Sequence, residues 1–183
     1  MTGGLLWGKV ANNVIKWEPK TLPAASKSGN KMDLVFNLIG GASHSLDEKG
    51  RLALPSKFRE ELRGKSARPE ELIALVTASG CLALYPHERW LTILDQIKDQ
   101  ADTTMREAAN MEIVYGAEPL TLDKAGRILL PARHREKAGL TGEVEVRGGG
   151  YKIEIWAPAN LARRLAESET HREKVWKDLE IGV

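Results

Sequence analysis

One ten-residue phrase occurs twice, so any fold for this chain has to accommodate two copies of one unit. The first copy is Leu46-Asp47-Glu48-Lys49-Gly50-Arg51-Leu52-Ala53-Leu54-Pro55, and the second is Leu122-Asp123-Lys124-Ala125-Gly126-Arg127-Ile128-Leu129-Leu130-Pro131. Asp, Gly, Arg and Pro recur at one constant offset of 76 positions. Arg59 and Arg135, Glu60 and Glu136, and Gly40 and Gly116 keep that offset. A repeat of this kind marks internal duplication, which governs how every other segment is read.

The phrase has a physical meaning. Glycine inside Asp-x-x-Gly-Arg interrupts any helix and supplies the positive φ of a tight turn, while the leading aspartate can cap backbone donors. Short apolar stretches flank it: His44-Ser45-Leu46 and Leu52-Ala53-Leu54 in the first copy, Leu120-Thr121-Leu122 and Ile128-Leu129-Leu130 in the second. The pattern predicts a β-hairpin, or strand-turn-strand, with Asp and Arg at its tip. Pro55 and Pro131 end the outgoing strands. The segments after them, Ser56–Leu62 and Ala132–Ala138, read as helices with proline near the start.

A second shared phrase closes each unit: Gly80-Cys81-Leu82-Ala83-Leu84-Tyr85-Pro86, and Gly150 to Pro158 with Ile153-Glu154-Ile155-Trp156 inside it. Leu72–Thr77 and Glu143–Arg147 are the strands before these phrases, the latter alternating as a half-buried strand does. Gly148-Gly149-Gly150 reads as a hairpin turn, and Arg63–Pro69 as a surface loop. Asp33–Ile39 is a short strand or an apolar lead-in. Helices follow each closing proline, roughly Glu88–Met111 and Ala159–Leu179. The polar stretch Lys98–Thr104 is the place for a break in the first. Trp90, Trp156 and Trp176 are expected as core or subunit-interface anchors.

Charge bounds the function. The 183 residues carry a formal net charge of only +2. Residues 1–31 hold five lysines, Lys9, Lys16, Lys20, Lys27 and Lys31, against one acidic residue, Glu18. The rest of the chain is therefore slightly acidic, and any anion-binding surface beyond that stretch has to be local. Two readings of residues 1–31 stand: a flexible basic extension that touches phosphates, or a tract lying ahead of a true start at Met32. No sustained apolar run marks a secretory signal or approaches the roughly 18 residues of a membrane span.

No enzyme constellation stands out. The single cysteine, Cys81, excludes an internal disulfide framework and fits a reducing compartment. His44, His87, His134 and His171 lack metal-site spacing. No nucleophile elbow or phosphate-cradling loop occurs. Cofactors are expected to be none, and so is a metal.

The paired Asp-x-x-x-Arg phrases, each followed by Leu-x-x-Pro and a short helix, together with the Tyr85-Pro86 and Trp156-Ala157-Pro158 closures, resemble the MraZ family of bacterial transcriptional regulators. Each unit looks like a SpoVT/AbrB-type domain, and the resemblance covers about residues 36–180. It implies an α+β fold class: two tandem swapped-hairpin AbrB-like β units forming a pseudo-dimeric β core, with helices after each unit. The implied boundaries are 40–87 for the first domain, 88–112 for connecting helices, 116–159 for the second domain and 160–183 for a C-terminal helix. The resemblance also implies a cytoplasmic, nucleoid-associated homo-oligomeric ring. That ring would bind direct repeats in double-stranded DNA and repress its own division and cell-wall operon. Carried over by position, the DNA-contacting motif falls on Asp47, Arg51, Asp123 and Arg127. Lys49 and Lys124, on the same tips, would add phosphate contacts.

The residues themselves leave alternatives open. Each Asp–Arg pair is either a turn-stabilising ion pair, contributing about 0–1 kcal/mol when exposed, or a groove contact made by the guanidinium. Arg59 and Arg135 are either a solvated helix face pairing with Glu61 or Glu136, or phosphate contacts. An assembly protein whose tips are subunit contacts is the rival to a DNA-binding regulator.

Overall fold

The computed structural model describes residues 36–180; the basic stretch 1–31, with both its readings, lies outside the described residues. The first unit contains β1 (Gly41–Ser45), β2 (Arg51–Ala53), α1 (Ser56–Lys65), β3 (Glu71–Val76) and β4 (Leu82–Pro86). Next come α2 (His87–Lys98) and α3 (Thr103–Ala109), the latter running into a π-helical turn over Asn110–Val114. The second unit repeats the plan with β5 (Glu118–Thr121), β6 (Arg127–Leu129), α4 (Ala132–Ala138), β7 (Glu143–Gly148) and β8 (Ile153–Trp156). Two helices, α5 (Pro158–Glu169) and α6 (Arg172–Asp178), follow it.

The strands do not stay within their own units. The large sheet has the order β1-β7-β8-β4-β3-β5, and β2 pairs only with β6. Strand β1 thus joins the second unit's β7–β8 hairpin, with His44 opposite Val144, and β5 joins the first unit's β3–β4 hairpin, with Leu120 opposite Leu72. All pairings are antiparallel. A pseudo-twofold axis passes between β4 and β8, where Leu82 faces Ile155 and Leu84 faces Ile153. The fold is α+β, built from two swapped hairpins. The flanks of each tip therefore form a hairpin only at its closed end, where Leu46 bridges Leu52 and Leu122 bridges Ile128. Beyond that bridge they diverge into different sheets.

Burial explains the strand patterns. One core gathers Leu52, Phe58, Leu62, Leu72, Leu84, Ile128, Leu130, Val144 and Ile155 from both units. A second cluster, Ile73, Leu75, Ala83, Tyr85 and Trp90, lies on the other face of β3 and β4 beneath α2. Those strands are covered on both sides and read as continuous apolar runs. Strand β7 alternates because Val144 and Val146 are buried while Glu143 and Arg147 stay exposed.

The break expected within Lys98–Thr104 is present, whereas the terminal helix and the start of the surface loop differ from expectation. The helix after Pro86 breaks where Asp102 accepts hydrogen bonds from the backbone N–H of Thr104 (2.8 Å) and Met105 (3.2 Å), capping α3. The terminal helix is likewise two helices, separated at Thr170 and His171, with Thr170 Oγ1 donating back to Glu167 O at 2.8 Å. Helix α1 continues through Lys65, so the surface loop begins at Ser66. Glu88 holds that loop by accepting from Ser66 Oγ and from Ala67 N at 2.7 Å. Of the expected strand or lead-in over Asp33–Ile39 only residues 36–39 are described, and there Leu38 makes an isolated bridge to Gly150 rather than a strand. Trp90 and Trp156 are core residues, whereas Trp176 is 51% exposed.

Candidate nucleic-acid interface

Each tip is a turn folded around its aspartate. In the first, Asp47 Oδ1 accepts from the backbone N–H of Lys49 (3.0 Å) and Arg51 (2.9 Å), and Oδ2 accepts from Arg51 Nε at 2.7 Å. In the second, Asp123 Oδ1 accepts from Ala125 N and Arg127 N, both at 2.9 Å, and Oδ2 from Arg127 Nε at 2.9 Å. Arg127 Nη2 lies 2.8 Å from the same oxygen. Backbone bonds from Gly50 N to Asp47 O and from Gly126 N to Asp123 O, both 2.8 Å, close the turns. The backbone N–H of Arg51, followed by its guanidinium, holds Asp47 below the usual carboxylate range, and Arg127 acts on Asp123 in the same order. The carboxylates are thus committed to shaping the turn and fixing the arginine.

The arginines are placed by strand parity. Arg51 opens β2 and Arg127 opens β6, and across the ribbon Arg51 faces Leu129 while Arg127 faces Ala53. Leu52 and Ile128, the middle residues, are fully buried. Alternation then puts Arg51, Ala53, Arg127 and Leu129 together on the outward face. Two residues along a strand and one strand across separate the arginine Cα atoms by about 8 Å. Their side chains remain partly exposed, 33% for Arg51 and 41% for Arg127. Lys49 and Lys124 are exposed on the tips, with no carboxylate partner among the described residues.

Each tip is also held by the other unit. Leu54 N donates to Gly126 O and Leu130 N to Gly50 O, each at 3.0 Å. Arg59 Nε donates to Leu54 O and Arg135 Nε to Leu130 O, each at 3.1 Å. Their guanidinium groups lie under the opposite tips. A Cβ at Gly50 would come within 2.6 Å of Arg135 Nε, and one at Gly126 within 2.7 Å of Arg59 Nη1. Glycine is needed there twice over, for these approaches and for φ values of +77° and +74°. Glu61 pairs with Lys65 instead, so Arg59 is a cross-unit clamp rather than part of a solvated helix face. The duplicated Gly–Arg offsets carried this signal. What the sequence did not display was that each arginine serves the other copy.

The tips are not identical. Glu48 in the first occupies the turn position of Lys124 in the second. Arg63, one turn beyond Arg59 on α1, lines a shallow cleft with Lys124 and Asp123, whereas α4 has already ended at left-handed Gly139.

Among the described residues, no three His, Cys, Asp or Glu side chains gather to hold a metal. Cys81 is fully buried, and burial pushes its thiol upward, away from the reactive range. No described helix is long and apolar enough to cross a membrane.

Comparison with known proteins matches the duplicated architecture. A family model described as "MraZ protein, putative antitoxin-like" covers residues 38–111 and again 113–178. The chain belongs to the MraZ family. Its similarity to the protein named transcriptional regulator MraZ of Caldicellulosiruptor saccharolyticus is 36% identity over 148 residues, 80% of this chain and 99% of the relative. The Syntrophomonas wolfei protein of the same name is 31% identical over 147 residues, covering 79% of this chain and 99% of the relative. That of Heliobacterium modesticaldum is 36% identical over 142 residues, 77% and 95% respectively. In MraZ terms the two matched segments are the two strand-exchanging units.

Proposed function

We propose that this chain is a sequence-specific DNA-binding transcriptional regulator. The observation that carries the reading is the outward face of the β2–β6 ribbon, where Arg51 and Arg127 stand side by side, each fixed by its own aspartate. A two-stranded ribbon fits the major groove, and a positioned guanidinium can donate to O6 and N7 of guanine. Lys49 and Lys124 supply phosphate contacts. The names of the relatives support a regulatory role. A binder, not an enzyme, is the reading.

One ribbon grips DNA weakly, and a near-neutral protein gains little from long-range attraction. A closed homo-oligomeric ring multiplies the grip on direct repeats by avidity. Exposed apolar residues on the peripheral helices, among them Met105 at 56% and Trp176 at 51%, support such contacts between copies. The proposed target is the repeat array ahead of the chain's own division and cell-wall operon, which it represses at the nucleoid in the cytoplasm.

Arg51→Ala and Arg127→Ala each abolish a gel shift on repeat DNA while the sedimentation coefficient stays that of the parent. Variants that bind like the parent remove the regulator reading. Variants that dissociate the oligomer favour the rival assembly protein, with tips as subunit contacts.

A further inference from the structure

The outward face of the β2–β6 ribbon carries one large apolar side chain. Leu129 is 55% exposed, although every other leucine of the repeated phrases, apart from half-buried Leu46, is buried. Register sets it directly across from Arg51. Directly opposed Cβ atoms in an antiparallel pair lie about 5 Å apart. The equivalent position in the first unit is Ala53, so Arg127 has only a methyl group across from it. A leucine between two arginines is an apolar spot on an otherwise polar face, and it gains where a groove offers an apolar edge to cover it.

From this we infer that Leu129 is a specificity-determining residue that packs against the 5-methyl group of a thymine in the major groove. The inference rests on the DNA reading above. The thymine methyl is the apolar feature of the major-groove edge, and it lies beside the acceptors that arginine reads. Bases follow one another at about 3.4 Å along a strand, so a side chain about 5 Å from Arg51 reaches one or two base pairs away. The recognised box therefore contains a thymine one or two base pairs from the guanine bound by Arg51. Because Ala53 replaces leucine at the other end, the ribbon is directional despite its pseudo-twofold axis. A directional reader favours direct over inverted repeats.

Uracil substitution tests this without altering the protein, since uracil is thymine without its methyl group. The box is first selected by the full chain from randomised duplexes, and each thymine is then replaced singly by uracil. One replacement weakens parent binding by roughly 4-fold per contact, the value of one buried methyl group, and leaves binding by Leu129→Ala unchanged. If no replacement matters, or if the same loss persists in Leu129→Ala, the inference is overturned. A Leu129→Ala chain that sediments as a smaller species places the leucine between copies and also overturns it. Failure of the parent to select any sequence would instead strike the DNA reading itself.

Discussion

Arg59, on the first unit's α1, lies under Gly126 at the tip of the second unit, and Arg135 repeats the relationship with Gly50. Each unit's helix thus sets the height of the other unit's turn. Gly126→Ala meets two obstacles: a left-handed φ of +74° and the Arg59 guanidinium. A loss of about 1–3 kcal/mol is expected from the backbone strain alone. Chemical denaturation of a double-mutant cycle separates the two. Gly126→Ala couples to Arg59→Ala and adds independently to Arg135→Ala. Coupling to Arg135 instead would mean that the clamps act within units.

Acid opens the tips in a defined direction. Asp47 and Asp123 are held below their ordinary values by the N–H groups and guanidinium of Arg51 and Arg127. Their contribution is complete above the unfolded carboxylate value and is lost only as pH falls through the lowered native one. Carbon-detected NMR titration of the two carboxyl groups finds both midpoints below that of a free aspartate. Arg51→Gln returns Asp47 toward the ordinary range and leaves Asp123 in place.

The ribbon is anchored from below by Leu52 and Ile128, which face each other and are fully buried. Truncating either to alanine leaves a cavity and costs about 2–5 kcal/mol, measurable by urea unfolding. Leu129→Ala, one residue along but on the open face, changes stability by less than about 0.5 kcal/mol. Equal losses at positions 128 and 129 would contradict the parity assigned to this strand.

Helix α6 presents Val175, Trp176 and, just beyond it, Leu179, between 48% and 62% exposed. In the proposed ring these residues lie between copies. Trp176→Ser lowers the sedimentation coefficient and shifts no unfolding midpoint measured at subunit concentrations too low for assembly. A parent-like sedimentation profile places the contacts elsewhere.

Much of this arrangement was legible in the chain itself. The offset between Asp47–Arg51 and Asp123–Arg127 gave both tips, and the prolines gave the start of each helix. Strand exchange left no local trace. His44-Ser45-Leu46 has the same composition whether it pairs with its own hairpin or with β7, and only long-range register decides. The break at Asp102 was legible as the polar stretch Lys98–Thr104, whereas the one at Thr170 was hidden in a polar, helix-compatible stretch. Leu129 was visible only as an apolar residue. Its exposure follows from parity with Ile128, which became informative once the β2–β6 pairing was known.

With β1 seated in the second unit's hairpin and β5 in the first's, neither half owns a complete sheet. Severing the polypeptide between α2 and α3 would give two fragments that stay entwined like clasped hands and cannot drift apart without both unfolding. The connection between the halves is then a convenience of synthesis, and a single half, made alone, would have to find a twin to become a protein at all.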